Sequence, residues 1–183
     1  MANVYTIAAP GAAFADGKCM LGIFNGTGSG KIVRLYRAFM LNNQTAAVTG
    51  LNVRMRVDRF TTGSGGVELL VVKHDTQSSS LPSQIVCSTN MSFTTEVTFK
   101  RFYWSSDEPL ASDAANIDEF QTLPKVGKVV DFDWSYSNST VQPYVLREGY
   151  GIGLVCENSF STSTIAAPVG SADFFFEFTV ETT

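Results

Sequence analysis

The sequence predicts an all-β fold: a two-sheet antiparallel sandwich, jelly-roll-like, of about eight or nine strands with one long insert. Three observations carry the prediction. Short runs of alternating apolar and polar residues recur along the 183 residues, separated by clusters of Gly, Ser, Thr and Asn. No segment sustains the apolar stripe of a helix, which repeats about every 3.6 residues. The chain ends in a strand pattern, with Phe174, Phe176, Phe178 and Val180 on one face and Asp173, Glu177, Thr179 and Glu181 on the other. Phe175 is the apolar exception on the polar face. The cysteine and tryptophan spacing of an immunoglobulin-like sandwich, the second choice, is absent.

Residues 1–18 read as an N-terminal arm ahead of a single sandwich domain at 19–183. Pro10-Gly11 interrupts the arm, and small residues near Ala13 to Ala15 mimic a cleavage site, but no basic segment precedes them. A signal peptide is therefore not expected, and synthesis in the cytoplasm is. CMLGIFN (19–25) is a strand, the glycine-rich 26–30 a hairpin turn, and KIVRLYRAFML (31–41) the longest strand candidate. LNVRMRVDRF (51–60) and VELLVVKH (67–74) read as a second hairpin around Gly63 to Gly66. The continuous apolar run Leu69 to Val72 suggests a central strand.

After a polar loop at 75–83, IVCS and NMSFTTEVTFKRFYW supply further strands, with Val97, Phe99, Phe102 and Trp104 turned inward and a bulge at Lys100-Arg101. Residues 105–128 form the long insert, with a short helical turn expected over Asp113 to Phe120 that puts Ile117 and Phe120 on one face. Inserts of this length in compact domains are usually functional or interfacial. VVDFDW, VQPYVLRE and YGIGLVCE complete the strands. Gly151 and Gly153 in the last of these mark close approach by a backbone or an aromatic ring.

Composition narrows the partners. A net charge of -4 and scattered basic residues exclude the clustered cations that nucleic acid requires. Arg54, Arg56 and Arg59 are the densest basic group and read as a solvated strand face. No run reaches the roughly 18 to 20 apolar residues of a membrane helix. Cys19, Cys87 and Cys156 are too few and too separate for a disulfide framework or a zinc knuckle and read as small buried hydrophobes.

No catalytic, cofactor or metal residues are assigned. The glycine loop at 26–32 fails as a phosphate loop at Asn25 and at Ile32. His74 beside Asp75 is the single histidine and makes no triad on its own. The acidic pairs Asp107-Glu108, Asp118-Glu119 and Asp131 with Asp133 are the candidates for glycoside hydrolysis, and a solvated face accounts for the last pair more simply.

The aromatic strand ending RFYWSSDEP, the acidic loop after it, and QPYVLREGYGIGLVCEN before the Phe-rich strand together resemble small β-sandwich virion proteins of tailed bacteriophages, of the capsid decoration or cement type. The resemblance spans residues 99–181 and is one of style, without a diagnostic motif. It implies a non-enzymatic protein that binds the major capsid protein on the outside of the shell, as a homo-oligomer, and strengthens the shell. Contacts are expected from the arm, through Val4, Tyr5, Ile7 and Pro10, and from Trp104, Ile117, Phe120 and Leu123 in and beside the insert. The alternative is a carbohydrate-binding module or phage receptor-binding tip that stacks sugars on Trp104, Tyr103, Tyr136 or Tyr144. A self-assembling capsid subunit and a glycosidase rank below both.

Overall fold

The computed structural model describes residues 3–42, 52–105, 128–133, 143–157, 159–160, 163–164 and 170–182. They form β1 (Asn3–Ala13), β2 (Cys19–Asn25), β3 (Lys31–Asn42), β4 (Asn52–Ser64), β5 (Val67–Glu68), β6 (Val71–Lys73) and β7 (Ile85–Thr89). The chain continues through β8 (Ser92–Ser105), β9 (Lys128–Asp133), β10 (Tyr144–Leu146), β11 (Tyr150–Cys156), β12 (Ser159–Phe160), β13 (Ser163–Thr164) and β14 (Ser171–Thr182). Among the described residues two six-stranded antiparallel sheets account for all of these except the small β12–β13 hairpin. The first sheet runs β10-β3-β14-β1-β6, with β9 also paired to β3; the second runs β5-β7-β2-β11-β4-β8.

β9 and β10 share one edge of β3. β9 covers Arg37 to Leu41 and β10 covers Val33 to Leu35. Short pieces of this kind raise the strand number above what alternation alone distinguishes.

The core lies between the sheets. From the first come Tyr5, Ile7, Val33, Leu35, Met40, Phe174, Phe176 and Phe178; from the second, Leu21, Ile23, Met55, Val57, Ile152 and Leu154. Tyr5 stacks on Phe178 at 5.6 Å between ring centroids. On the opposite face of β14, Phe175 stacks on Phe39 at 4.8 Å, which accounts for its place among polar neighbours. That face is otherwise tied by cross-strand ion pairs, Arg34 with Glu181 at 2.9 Å and Arg37 with Glu177 at 3.2 Å.

β3 reaches the core with odd-numbered residues at Val33 and Leu35 and even-numbered ones at Ala38 and Met40. The register against β14 shifts by one residue at Tyr36, and this bulge restores the inward face.

The N-terminal segment is a correction to the expected arm. β1 lies inside the first sheet, paired to β14 along Asn3 to Ala13 and to β6 at Tyr5 to Ile7. Tyr5 and Ile7 are 2% and 0% exposed, because their alternation matches the inward face of a strand. Pro10-Gly11 does not end the strand but forms a bulge in it: the register slips between Ala9 and Ala12, Gly11 takes φ 61°, and its N–H donates to Asp173 Oδ1 at 2.7 Å.

Both expected hairpins also differ. The 26–30 turn carries the chain from the second sheet (β2) to the first (β3), and β4 and β5 pair with other strands. Leu69 to Val72 are not central, since among the described residues β5 and β6 are edge strands of different sheets.

Beyond Phe60, β4 leaves β11 and, among the described residues, pairs only with β8. This extension curls over the outer face of the second sheet, where Cys19, Phe60, Met91 and Val155 form a second small core with Phe24, Val86 and Phe93 against it. Phe60 stacks on Phe93 at 4.4 Å. Gly153 lets Phe60 in, since a Cβ there would sit 2.5 Å from the Phe60 ring; one on Gly151 would sit 2.6 Å from the Ile23 carbonyl oxygen.

Two crossovers between sheets run side by side. β2 pairs with β11 in the second sheet, and their continuations β3 and β10 pair in the first. The buried Asn25 joins the two: its side-chain Nδ2 donates to Lys31 O at 2.8 Å and to Leu146 O at 3.1 Å, and its backbone carbonyl accepts from Gly149 N at 2.7 Å. Glu148 closes the same junction from outside, accepting from Gly28 N at 3.1 Å and Gly30 N at 2.6 Å. These backbone donors hold its carboxyl below the usual glutamate value of 4.5.

Two outcomes are expected. Gly153→Ala destabilises the fold by about 1–3 kcal/mol in urea titration, because Phe60 must shift in a packed cluster. Glu148 is favoured in its ionised form by folding, so its contribution is present above pH 4.5 and is lost as pH falls through the depressed folded value. Glu148→Gln should therefore lower stability at neutral pH and flatten the acid limb of a stability–pH profile.

Candidate functional site

The β10–β11 crossover builds a groove. Its volume is 490 Å3 and its walls are Ile32, Arg34, Arg59, Val145, Arg147 and Tyr150. Ile32 and Arg34 come from the outward side of β3, and Val145 faces Arg34 across the β10 pairing. Arg147 and Tyr150 bracket the crossover turn, and Arg59 enters from β4 opposite Ile152. The junction held by Asn25 and Glu148 thus sets the position of one wall.

Bulges supply the surroundings. Against β4, the register of β8 slips between Lys100 and Thr98 and again between Val97 and Thr95, which makes Phe99 and Glu96 the extra residues. Each is turned toward Arg59. Glu96 Oε2 lies 2.5 Å from Arg59 Nε, and the guanidinium sits 5.3 Å from the Phe99 centroid and 5.9 Å from that of Tyr150. Phe99 also packs on Tyr144 at 4.5 Å with the rings tilted 56°. Burial pushes the Tyr144 phenol above its ordinary range, and Arg59 draws it back in part. Arg147 is exposed and has no ion-pair partner among the described residues.

The β5–β6 edge is the second notable surface. Val67, Leu70 and Val72 are 61%, 81% and 51% exposed, a run of apolar side chains over two short edge strands. Beneath them a groove of 890 Å3 is lined by residues that include Tyr5, Leu69, Val71, Leu81, Pro82 and Ile85. Among the described residues β6 is paired on one side only, to β1.

The residues singled out from sequence fall as follows. Tyr5 and Ile7 are core, Val4 is half-buried and Pro10 exposed. Trp104 lies opposite Val53 on β8, with its side chain outside the described residues, as are Ile117, Phe120, Leu123 and nearly all of the 105–128 insert. Val97 and Phe99 are 37% and 36% exposed rather than inward, because the two β8 bulges reverse the alternation.

The arginine-rich face of β4 is not merely solvated. Arg56 Nε lies 2.7 Å from the fully buried Asp58, a charge contact without hydrogen-bond alignment, and Arg56 also meets Glu157 at 3.2 Å. Asp58 itself accepts from Thr95 at 2.9 Å and Thr98 at 2.7 Å.

His74 is used in the sheet: its Nε2 is 2.7 Å from Thr6 Oγ1 and its backbone N–H donates to Val4 O. The glycine loop holds an anion after all, the Glu148 carboxylate. Asp131 and Asp133 pair with Phe39 and Arg37 along the backbone of β9 and β3, with their side chains outside the described residues, as is the whole of the other two acidic pairs. The cysteines are buried and are not joined in disulfides, and burial raises the thiols of Cys19 and Cys87 to about 12 and that of Cys156 to about 11.

The groove residues were missed from sequence because Arg34, Arg147 and Tyr150 belong to separate strand patterns. No protein-family model, curated protein or solved structure matches the chain.

Proposed function

We propose that this chain is a non-enzymatic structural protein of a tailed-bacteriophage virion, which binds the major capsid protein on the capsid exterior as a homo-oligomer and stabilises the shell. On this reading it is made in the host cytoplasm and ends on the virion surface, and its paired crossovers are the winding of a jelly roll.

The observation that carries the reading is the β5–β6 edge. Val67, Leu70 and Val72 expose apolar surface beside a strand with one side unpaired among the described residues, a combination suited to packing against another protein and to adding a strand. Glu68 and Lys73 flank it and would fix register. Contact is thereby moved from the arm, which belongs to the sheet, to this edge. Each contact is small, and repetition over a lattice turns small contacts into firm attachment.

The alternative, sugar stacking on Trp104, Tyr103, Tyr136 or Tyr144, retains one described side chain, Tyr144, and Phe99 already packs on that ring.

Cosedimentation with expanded capsids of the phage that encodes the chain tests the proposal. Wild-type protein should pellet with the shells, and Leu70→Asp combined with Val72→Lys should weaken binding by about tenfold or more with thermal stability retained. Wild-type protein that stays in the supernatant as a monomer would count against the reading, as would undiminished binding by the double variant.

A further inference from the structure

We propose that the groove between β10, β11 and β4 is a binding subsite for a carboxylated sugar ring, a uronic or sialic acid residue. This is independent of the capsid reading and uses residues on a different part of the surface.

Three guanidinium groups converge on the groove in a protein whose net charge is -4. Glu181 and Glu96 engage Arg34 and Arg59 at Nε, which among the described residues leaves donors on the terminal nitrogens of both. Arg147 brings a whole guanidinium without a carboxylate partner among the described residues. The nearest acid in sequence, Glu148, is taken up by the Gly28 and Gly30 amides. A planar fork of donors matches a carboxylate in two-point contact.

The remaining walls select the rest of the ligand. Tyr150, 39% exposed, offers a ring face beside the cations, and Ile32 and Val145 add apolar surface. A sugar acid presents both parts at once, a C–H face for the aromatic ring and a carboxylate for the arginines. The groove's 490 Å3 lies within the about 300–1,000 Å3 of small-ligand sites. A long polyanion such as nucleic acid is disfavoured, because beyond the groove it would meet a net negative surface.

The test is NMR titration of the arginine side-chain and Tyr150 signals with sodium glucuronate and N-acetylneuraminic acid, against methyl glucoside, acetate and inorganic phosphate. One or both sugar acids should give saturable shifts at Arg59, Arg147 and Tyr150, and acetate, phosphate and methyl glucoside should each bind about tenfold or more weakly. Arg147→Ala should weaken sugar-acid binding by about tenfold, and Arg147→Lys should restore only part of it. Because Arg147 is exposed, an unchanged melting temperature and unchanged remote signals check that the fold is intact. Acetate or phosphate binding as tightly as the sugar acids would make this a bare anion site and overturn the proposal. No saturable shift with either sugar acid, or full binding by Arg147→Ala, would also overturn it.

Discussion

The Asn25 side chain is the constraint on which the rest of the molecule depends. A sandwich needs its chain to pass between sheets, and each passage leaves backbone carbonyls at the rim without strand partners. Asn25, fully buried, donates to one carbonyl on each of two passages, Lys31 O on the way into β3 and Leu146 O at the end of β10. An apolar side chain of similar size would fill the space and leave both carbonyls unpaired. The register of β2 with β11 and of β3 with β10 is therefore fixed at one buried point. Arg147, Glu148 and Tyr150 take their places from it.

The same logic explains why alternation predicts the strand class well and its details less well. Where pairing is regular, as between β14 and β1 from Phe174 to Phe178, inward and outward residues read directly from the sequence. Where a bulge intervenes, parity reverses: at Tyr36 in β3, at Pro10-Gly11 in β1, and at Glu96 and Phe99 in β8. A bulge is a two-strand property, set by how one strand meets another, and is faint in a single sequence. The glycines at 151 and 153 were legible for a related reason, since a missing side chain signals a neighbour without naming it. That neighbour proved to be the Ile23 backbone and the Phe60 ring.

Turn chemistry was legible as punctuation but not as direction. The glycine-rich stretches at 26–30 and 63–66 end strands as their composition requires, yet neither closes a hairpin. Direction is decided by which apolar face each flanking strand must bury, and that is settled only when both sheets are assembled. The apolar run at 69–72 shows the converse. Continuous hydrophobicity suggests a central strand, but here it spans the passage from β5 to β6, with Leu69 packed on the core and Leu70 outside.

The candidate groove was the least legible part, since its walls come from β3, β4 and the β10–β11 turn, over a hundred positions apart at the extremes. It is coupled to the core through the crossover junction, so the most direct measurement is equilibrium unfolding of Asn25→Ala in urea together with amide exchange at Gly28, Gly30 and Gly149. Loss of about 2–4 kcal/mol, with faster exchange at those three amides, is predicted from two carbonyls left without donors. A change below about 0.5 kcal/mol with unaltered exchange would contradict the role assigned to the Asn25 amide.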